Sequence, residues 1–251
     1  MSKQRKLTKG IMALLGVGSL GLIGISADAA DLNQPVAHGP STVLFWGGNA
    51  KEKAYYLYGG GVTALSGDIS QDGLLFRAVL GFGEYKYSTT AVASGKVNGD
   101  IFQAEASLGY QIYSDAFRLS GYLGIDYQDN DLSPNDTTNS TRGDEVGAKF
   151  QAEVETVHSA PYYASLMGSY STANDSYWSR ARIGYKFDGF IIGPEGLLMG
   201  NNEYDGQRIG AFLGGISLGA LNVSISGGYA DVDGTQGGSS GYGAIGFSMT
   251  F

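Results

Sequence analysis

The chain of 251 residues has no cysteine, only five prolines and few basic side chains, with 16 Lys and Arg against 24 Asp and Glu. The lack of cysteine excludes disulfide bonds and thiolate metal sites. The acidic excess argues against nucleic acid as a partner, because that binding depends on neutralising phosphates. Low proline beside 41 glycines without a Gly-X-Y period argues against collagen-like or disordered chains.

The sequence also lacks an apolar run long enough for a membrane helix. The run from Ile11 to Ile25 covers 15 residues, whereas a spanning helix needs about 20. Four basic side chains precede it: Lys3, Arg5, Lys6 and Lys9. An A-x-A cleavage signal follows at 27–29. We therefore expect residues 1–29 to be a cleaved signal peptide, with a retained anchor as the less favoured alternative. Residues 30–41 are interpreted as a periplasmic lead-in.

The dominant pattern in the rest of the chain is a period-two alternation of apolar and polar side chains. Between Phe102 and Ile112, apolar residues alternate with Gln103, Glu105 and other polar or small residues. The segments 117–128 and 145–157 repeat the pattern. Such alternation predicts strands with one apolar face and one wet face.

About twelve such segments approach the roughly 9–11 residues that a tilted membrane strand needs. The predicted strands are 42–48, 54–65, 74–86, 100–112, 117–128, 145–157, 162–171, 177–187, 190–200, 207–218, 220–231 and 242–251. We interpret residues 42–251 as an all-β protein: a closed, antiparallel, up-and-down transmembrane β-barrel. An even strand count places both ends of the barrel on the periplasmic side.

A soluble β-sandwich would also alternate, and two further features favour the barrel. Tight connections alternate with long polar ones at 86–99 and 129–143, which is typical of periplasmic turns and outer loops. The last strand has an apolar face and ends on an aromatic residue. We interpret Gly246, Met249 and Phe251 as an assembly signal. The expected location is the outer membrane of a Gram-negative cell, with membrane lipid and the barrel assembly machinery as partners.

The wet face carries charges of both signs. The candidate lumen residues are Arg77, Glu105, Arg118, Asp126, Lys149, Glu153, Arg180, Arg182, Glu195 and Arg208, with Tyr122, Tyr163 and Trp178 as inward aromatic residues. One interpretation is an interior filled by paired charges, and the other is a wet pore that selects a solute. An acidic column (Glu145, Glu153, Glu155) and a basic one (Arg180, Arg182, Lys186) would make either a transverse field or salt bridges.

The most distinctive segment is Gly193-Pro194-Glu195-Gly196. A proline within a strand removes a ladder donor, so we expect a bulge or a local bend there. The alternative is a constriction or docking site in which Glu195 and Arg208 lie close together on adjacent strands.

No catalytic, cofactor or metal site is expected. His158 and Ser159 are adjacent, but no nucleophile motif surrounds them, so a turn histidine is favoured over catalysis. The loop residues Asp129, Asp131 and Asp136 lack the spacing of an EF-hand calcium loop.

Gly193-Pro194-Glu195, followed by Gly200-Asn201, Tyr204-Asp205 and Arg208-Ile209-Gly210, resembles the alphaproteobacterial cellulose biosynthesis protein BcsS family. The strand at 182–187 and the glycine-rich closing hairpin fit this resemblance. It implies a non-enzymatic accessory role in cellulose biosynthesis or export, with cellulose or cellulose synthase components as partners. It transfers no catalytic residues.

Three functions are therefore considered. The leading one is a non-enzymatic outer-membrane barrel that assists cellulose export or anchors the export machinery, in which inward aromatic and charged residues contact a glucan. The others are a general small porin and, less favoured, a lipid-modifying enzyme centred on His158. For any single inward aromatic residue, packing is favoured over sugar stacking.

Overall fold

The structure, a computed structural model, describes residues 39–157, 159–233 and 239–251. Twelve antiparallel strands form a closed barrel in which each strand pairs with its neighbours in sequence and β1 pairs with β12. The strands are β1 (Thr42–Lys51), β2 (Ala54–Ala64), β3 (Gly73–Ser88), β4 (Lys96–Tyr113), β5 (Phe117–Ser133), β6 (Gly143–Thr156), β7 (Tyr162–Ser171), β8 (Ser176–Phe187), β9 (Phe190–Asn201), β10 (Tyr204–Leu218), β11 (Leu221–Val232) and β12 (Ser240–Thr250). A single 3-10 turn, Ala173–Asp175, joins β7 to β8.

The predicted fold class and strand order are confirmed. The start of β1 and the end of β12 lie together, because the backbone amide of Phe251 donates to the carbonyl of Thr42 at 2.8 Å. We call this rim of the barrel the terminal end and the opposite rim the loop end. The predicted signal peptide and most of the lead-in lie outside the described residues. No helix in the described part of the chain is long and apolar enough to cross a membrane.

The strands β3 to β6 are longer than predicted at the loop end. Half of the connection expected over 86–99 is strand, and only 89–95 lies outside β3 and β4. The alternation continues in these strand ends. Tyr87, Val97 and Leu132 are buried, and the polar residues next to them in sequence face outwards. Because the outward face loses its apolar side chains beyond the membrane, these strand ends resemble loops in sequence.

The outward face of the barrel is an apolar belt. Its members include Leu80, Phe82, Leu108, Leu123, Ile125, Val146, Phe150, Ile183, Leu198 and Ile209, all exposed on the wall. Their inward neighbours along the strands include glycines, buried apolar residues such as Leu197, and buried polar ones such as Asp126 and Lys149. An exposed apolar band on a closed barrel with a polar interior is the arrangement that a lipid bilayer requires.

The abundance of glycine is linked to the inward tyrosines. The ring of Tyr56 lies over Gly81, where an added Cβ would come within 1.9 Å of the Tyr56 hydroxyl. The ring of Tyr122 covers Gly109 in the same way, at 2.4 Å from its Cδ1 atom. The absence of a side chain on one strand thus lets a ring from another strand lie flat against the wall.

The bulge expected at Pro194 is absent. The pairs Arg182–Glu195 and Tyr185–Ile192 keep one register, with only an interruption of pairing between them. Gly193 allows β8 and β9 to approach closely here, since an added Cβ would lie 1.9 Å from the carbonyl oxygen of Ile183. A register shift occurs instead in β10, between Leu213 and Ile216.

This close approach predicts the effect of adding a methyl group. Gly193→Ala should destabilise the barrel by about 1–3 kcal/mol, because the methyl group meets rigid backbone. Gly196→Ala is the matched control in the same strand, since nothing lies within 4 Å of its Cβ position. Urea unfolding in detergent measures both, and equal stability of the two variants would contradict the proposed contact.

Candidate functional site

A continuous apolar cluster extends through the barrel interior as far as the loop end. Its members come from ten of the twelve strands: Phe45, Tyr56, Tyr58, Val79, Tyr85, Tyr87, Val97, Ile101, Leu132, Met167, Trp178, Leu197, Met199, Tyr204 and Val232. Side chains from most of the barrel wall therefore meet in the interior. Of the two interpretations left open by the sequence, the structure has the filled interior.

A charge-balanced network lies on the β3–β6 side of this cluster. Arg77 Nη1 lies 3.4 Å from Glu105 Oε1, and Lys149 Nζ lies 3.4 Å from Glu105 Oε2. Lys149 Nζ is also 3.8 Å from Asp126 Oδ2. All four side chains are buried, so two cations and two carboxylates neutralise one another away from water.

Amide side chains extend this network across the interior. Gln103 donates to Asp126 at 2.8 Å and accepts from the Tyr56 hydroxyl at 2.9 Å. Gln128 donates to Asp126 at 2.7 Å and to Ser176 of β8 at 2.8 Å. The network thereby links β2 to β8 through hydrogen bonds that satisfy the buried carboxylate.

A second polar group lies on the opposite side and surrounds a narrow, partly open cleft with a cavity volume of about 20 Å³. The cleft is lined by Asn49, Tyr58, Trp178, Arg180, Arg182, Glu195, Leu197, Arg208, Ser226, Tyr242 and Ala244. We call it the arginine cleft. Its charged lining consists of three arginines and one glutamate, so it carries a net charge of +2.

Aromatic rings support the arginines of this cleft. The guanidinium of Arg180 lies 5.5 Å from the ring centroid of Trp178, and that of Arg208 lies 5.2 Å from the ring centroid of Tyr242. Arg182 lies 4.7 Å from the ring centroid of Phe212. Such contacts stabilise a desolvated cation without neutralising it.

Glu195 accepts hydrogen bonds from Arg182 and Tyr242 and forms no salt bridge with Arg208. Arg182 Nε donates to Glu195 Oε2 at 2.8 Å, and the Tyr242 hydroxyl donates to Glu195 Oε1 at 2.8 Å. Arg208 instead donates to Asn49 Oδ1 at 3.3 Å. Glu195 and Arg208 do line the same cleft, as the alternative interpretation of the proline segment required.

The acidic and basic columns do not face each other as a transverse field. Glu155 pairs with Arg118 at 2.9 Å, near the terminal end. Glu153 accepts from Gln151 at 2.6 Å, and Glu145 accepts from the backbone amide of Asn174 at 3.0 Å. These contacts are local, and the one salt bridge among them joins Glu155 to Arg118, outside the predicted basic column.

The three inward aromatic candidates all lie inside the barrel and pack against other side chains. Tyr122 lies beneath Arg77, with 5.9 Å between ring centroid and guanidinium. Tyr163 packs on Phe212, with ring centroids 5.6 Å apart. These contacts place the rings within the filled interior, and their predicted contact with a glucan stays a prediction.

Sequence reasoning missed several interior side chains that connect these groups. They are Asn49, Tyr56, Tyr58, Gln103, Gln128, Ser176, Tyr204 and Tyr242. Most share the alternation of a predicted inward residue on the same or an adjacent strand, so strand parity could have found them; Asn49 and Tyr242 lie on β1 and β12, where no inward residue was predicted. Parity does not predict the contacts of Gln128 with Ser176, Asn49 with Arg208 and Tyr242 with Glu195, because each joins strands three apart in the ring.

Two segments cover the ends of the barrel. Residues 134–142, which we call the strap, leave β5 and cross the loop end. Asp136 accepts from the hydroxyl of Tyr87 on β3 at 2.9 Å. Ser140 donates through its backbone amide and its hydroxyl to Glu203, between β9 and β10. Because β3 and β9 lie opposite each other in the ring, the strap spans the mouth.

At the terminal end, the connection 65–72 folds inwards. Ile69 is buried against Leu75 and Tyr122. Its backbone amide donates to Pro40 at 2.8 Å, and its carbonyl accepts from Gln111 at 2.8 Å. This moderately long turn, an exception to the expected short periplasmic turns, therefore occupies the barrel opening.

Among residues 39–157, 159–233 and 239–251, no group of three or more His, Cys, Asp or Glu side chains is placed to hold a metal ion. His158 lies outside the described residues, so the catalytic alternative centred on it has no structural description. The carboxylate of Asp136 accepts hydrogen bonds from Thr138 within the strap and from Tyr87 on β3.

The belt, the closed ladder and the polar, filled interior together define a transmembrane β-barrel whose lumen is occupied by its own side chains. The model of the family "Cellulose biosynthesis protein BcsS" matches residues 43–251. The chain belongs to this family, and the barrel has a role in cellulose biosynthesis.

Solved outer-membrane barrels share the fold class at low similarity. The KdgM porin in complex with disordered oligogalacturonate is 10% identical, with a TM-score of 0.46 over 83% of this chain and 99% of the porin. The translocator domain of the autotransporter NalP from Neisseria meningitidis is 10% identical, with a TM-score of 0.48 over 85% of this chain and 89% of that domain. This likeness concerns the fold alone. No curated protein matches the chain.

The balanced network predicts a large penalty for removing one of its charges. Glu105→Gln should lower the free energy of unfolding by about 3–5 kcal/mol, because it leaves two buried cations short of a counter-charge. Glu52→Gln, in an exposed pair with Lys53, should cost less than about 1 kcal/mol. Urea unfolding in detergent compares the two variants. A similar loss of unfolding free energy in both would contradict the burial of the network.

The strap predicts a response to acid. Although burial opposes it, hydrogen bonds from Thr138 and Tyr87 and the charge of Arg142 hold the pKa of Asp136 below its ordinary value of 3.8. The ionised carboxylate therefore stabilises the strap above about pH 4, and this contribution is lost as the pH falls through the lowered pKa. We expect the strap to become mobile in strong acid.

A spin label can report this change, because the chain has no other cysteine. A label on Thr137→Cys, at an exposed strap position, should be ordered at pH 7 and become mobile only in strong acid, below the ordinary carboxyl pKa of 3.8. In the Asp136→Asn background the label should already be mobile at pH 7. A label whose mobility is the same in both backgrounds would exclude Asp136 as the anchor.

Proposed function

We propose that the protein is a non-enzymatic outer-membrane barrel that supports cellulose biosynthesis as an anchor for the export machinery, with its lumen closed. The observation that carries this proposal is the apolar cluster that joins side chains from ten strands across the interior. A glucan path through the barrel would require these side chains to separate. Membership of the cellulose biosynthesis family connects the closed barrel to cellulose.

Outer-membrane placement is supported by the apolar belt on a closed β-barrel and by the signal peptide expected over residues 1–29. The expected contacts are with membrane lipid, with the barrel assembly machinery through the segment ending at Phe251, and with cellulose or the synthase components. The long strand ends of β3 to β6, together with the strap, form the largest protrusion on which a partner could dock at the loop end.

The two other functions have less support. A general porin needs a continuous aqueous lumen, whereas here the strap and the 65–72 connection cover the openings and the apolar cluster extends through the interior. A lipid-modifying enzyme would depend on His158, which no nucleophile motif surrounds in the sequence. The non-enzymatic interpretation is therefore retained as part of the proposal.

The proposal is tested by locking the strap in cells that produce cellulose. Deleting the gene should lower the amount of extracellular cellulose, and the wild-type chain should restore it. The variant Ser140→Cys, Glu203→Cys can be joined by a reducible bifunctional thiosulfonate reagent, because these side chains touch across the mouth. An anchor should restore cellulose fully with the strap locked.

The control is the single variant Ser140→Cys treated with the same reagent. Extracellular cellulose that falls only in the locked double variant and returns on reduction would contradict the anchor and identify a gated conduit. Unchanged cellulose on deletion would exclude any supporting role in its production.

A further inference from the structure

The arginine cleft differs from the balanced network in its charge. The network of Arg77, Lys149, Glu105 and Asp126 sums to zero, whereas the lining of the cleft sums to +2. Its one carboxylate, Glu195, already accepts hydrogen bonds on both oxygens. The cleft is therefore rich in cationic donors and short of acceptors.

Two further polar side chains of the lining indicate that the cleft suits a hydrogen-bond acceptor. Trp178 is 2% exposed and Tyr58 is 5% exposed. Within the described part of the chain, neither the indole Nε1 of Trp178 nor the hydroxyl of Tyr58 has a hydrogen-bond partner. A buried donor left without a partner is destabilising, and an acceptor in the cleft would remove this cost.

We propose that the arginine cleft binds an oxyanion, a phosphate or carboxylate group that is either free or carried by a sugar. The guanidinium group presents a planar fork of donors that matches the oxygens of either anion. Aromatic rings lie against the guanidinium groups of Arg180 and Arg208. The indole and phenol groups then supply the neutral hydrogen bonds.

The closed interior strengthens such an interaction, because the attraction between charges is greater where water is excluded. A neutral glucan gains nothing from the charge surplus, and a cation would be repelled by it. The ligand proposed for this cleft is therefore charged, unlike cellulose. The proposal holds whether the barrel acts as an anchor or as a conduit.

Fluorescence of Trp178 provides a direct readout. The chain has two tryptophans, and the other, Trp46, is 39% exposed on the outward face. In a Trp46→Phe background of the full barrel in detergent, the signal comes from the cleft alone. Inorganic phosphate, glucose 1-phosphate, glucuronate and neutral cellobiose are titrated at constant ionic strength set with chloride.

We expect saturable changes with phosphate and no change with cellobiose. Tenfold tighter binding of either acidic sugar than of phosphate would identify a sugar-borne anion, and equal affinities would identify a free one. A response to cellobiose equal to that of the anions, or no saturable response at all, would overturn the proposal.

Variants separate the site from general charge effects. Arg208→Gln should weaken anion binding by at least about tenfold, whereas Arg142→Gln, which removes a positive charge on the exposed strap, should leave it unchanged. Glu195→Gln should tighten binding, because it raises the positive charge of the cleft. Heat-modified mobility in gels checks that each variant is folded, and equal affinity of Arg208→Gln and wild type would exclude the site.

Discussion

The structure depends on one constraint: a barrel whose outer wall is covered by lipid must satisfy its polar groups inside. The backbone does this through closure of the ladder between β1 and β12. The inward charges do it by pairing with each other, as Glu105 does with Arg77 and Lys149. The filled lumen follows from this requirement, since inward side chains from opposite walls are long enough to meet.

The interior is divided into two parts with different electrostatics. On one side, carboxylates and cations cancel, and amide groups extend the hydrogen bonds from β2 to β8. On the other side, three arginines rest on aromatic rings around a cleft with only Glu195 as counter-charge. The balanced network stabilises the barrel. The surplus of positive charge in the arginine cleft does not contribute to stability in this way.

Much of the fold could be predicted from the sequence, because period-two alternation encodes both strand identity and facing. The twelve strands and the inward side of Arg77, Asp126 and Trp178 follow from it directly. Strand ends beyond the membrane could not be predicted, since the apolar outward signal stops there while the inward signal at Tyr87 continues. The partners of Glu195 and the crossing of the strap depend on contacts between distant strands, which local patterning does not specify.

The central claim is that the lumen is closed by the side chains of the barrel. Single-channel recording of the purified protein in planar bilayers tests it most directly, with and without short cello-oligosaccharides. The account predicts no steady conductance in either condition at neutral pH. A steady conductance that cello-oligosaccharides block and malto-oligosaccharides do not would contradict it, and would show that a glucan path runs through the barrel.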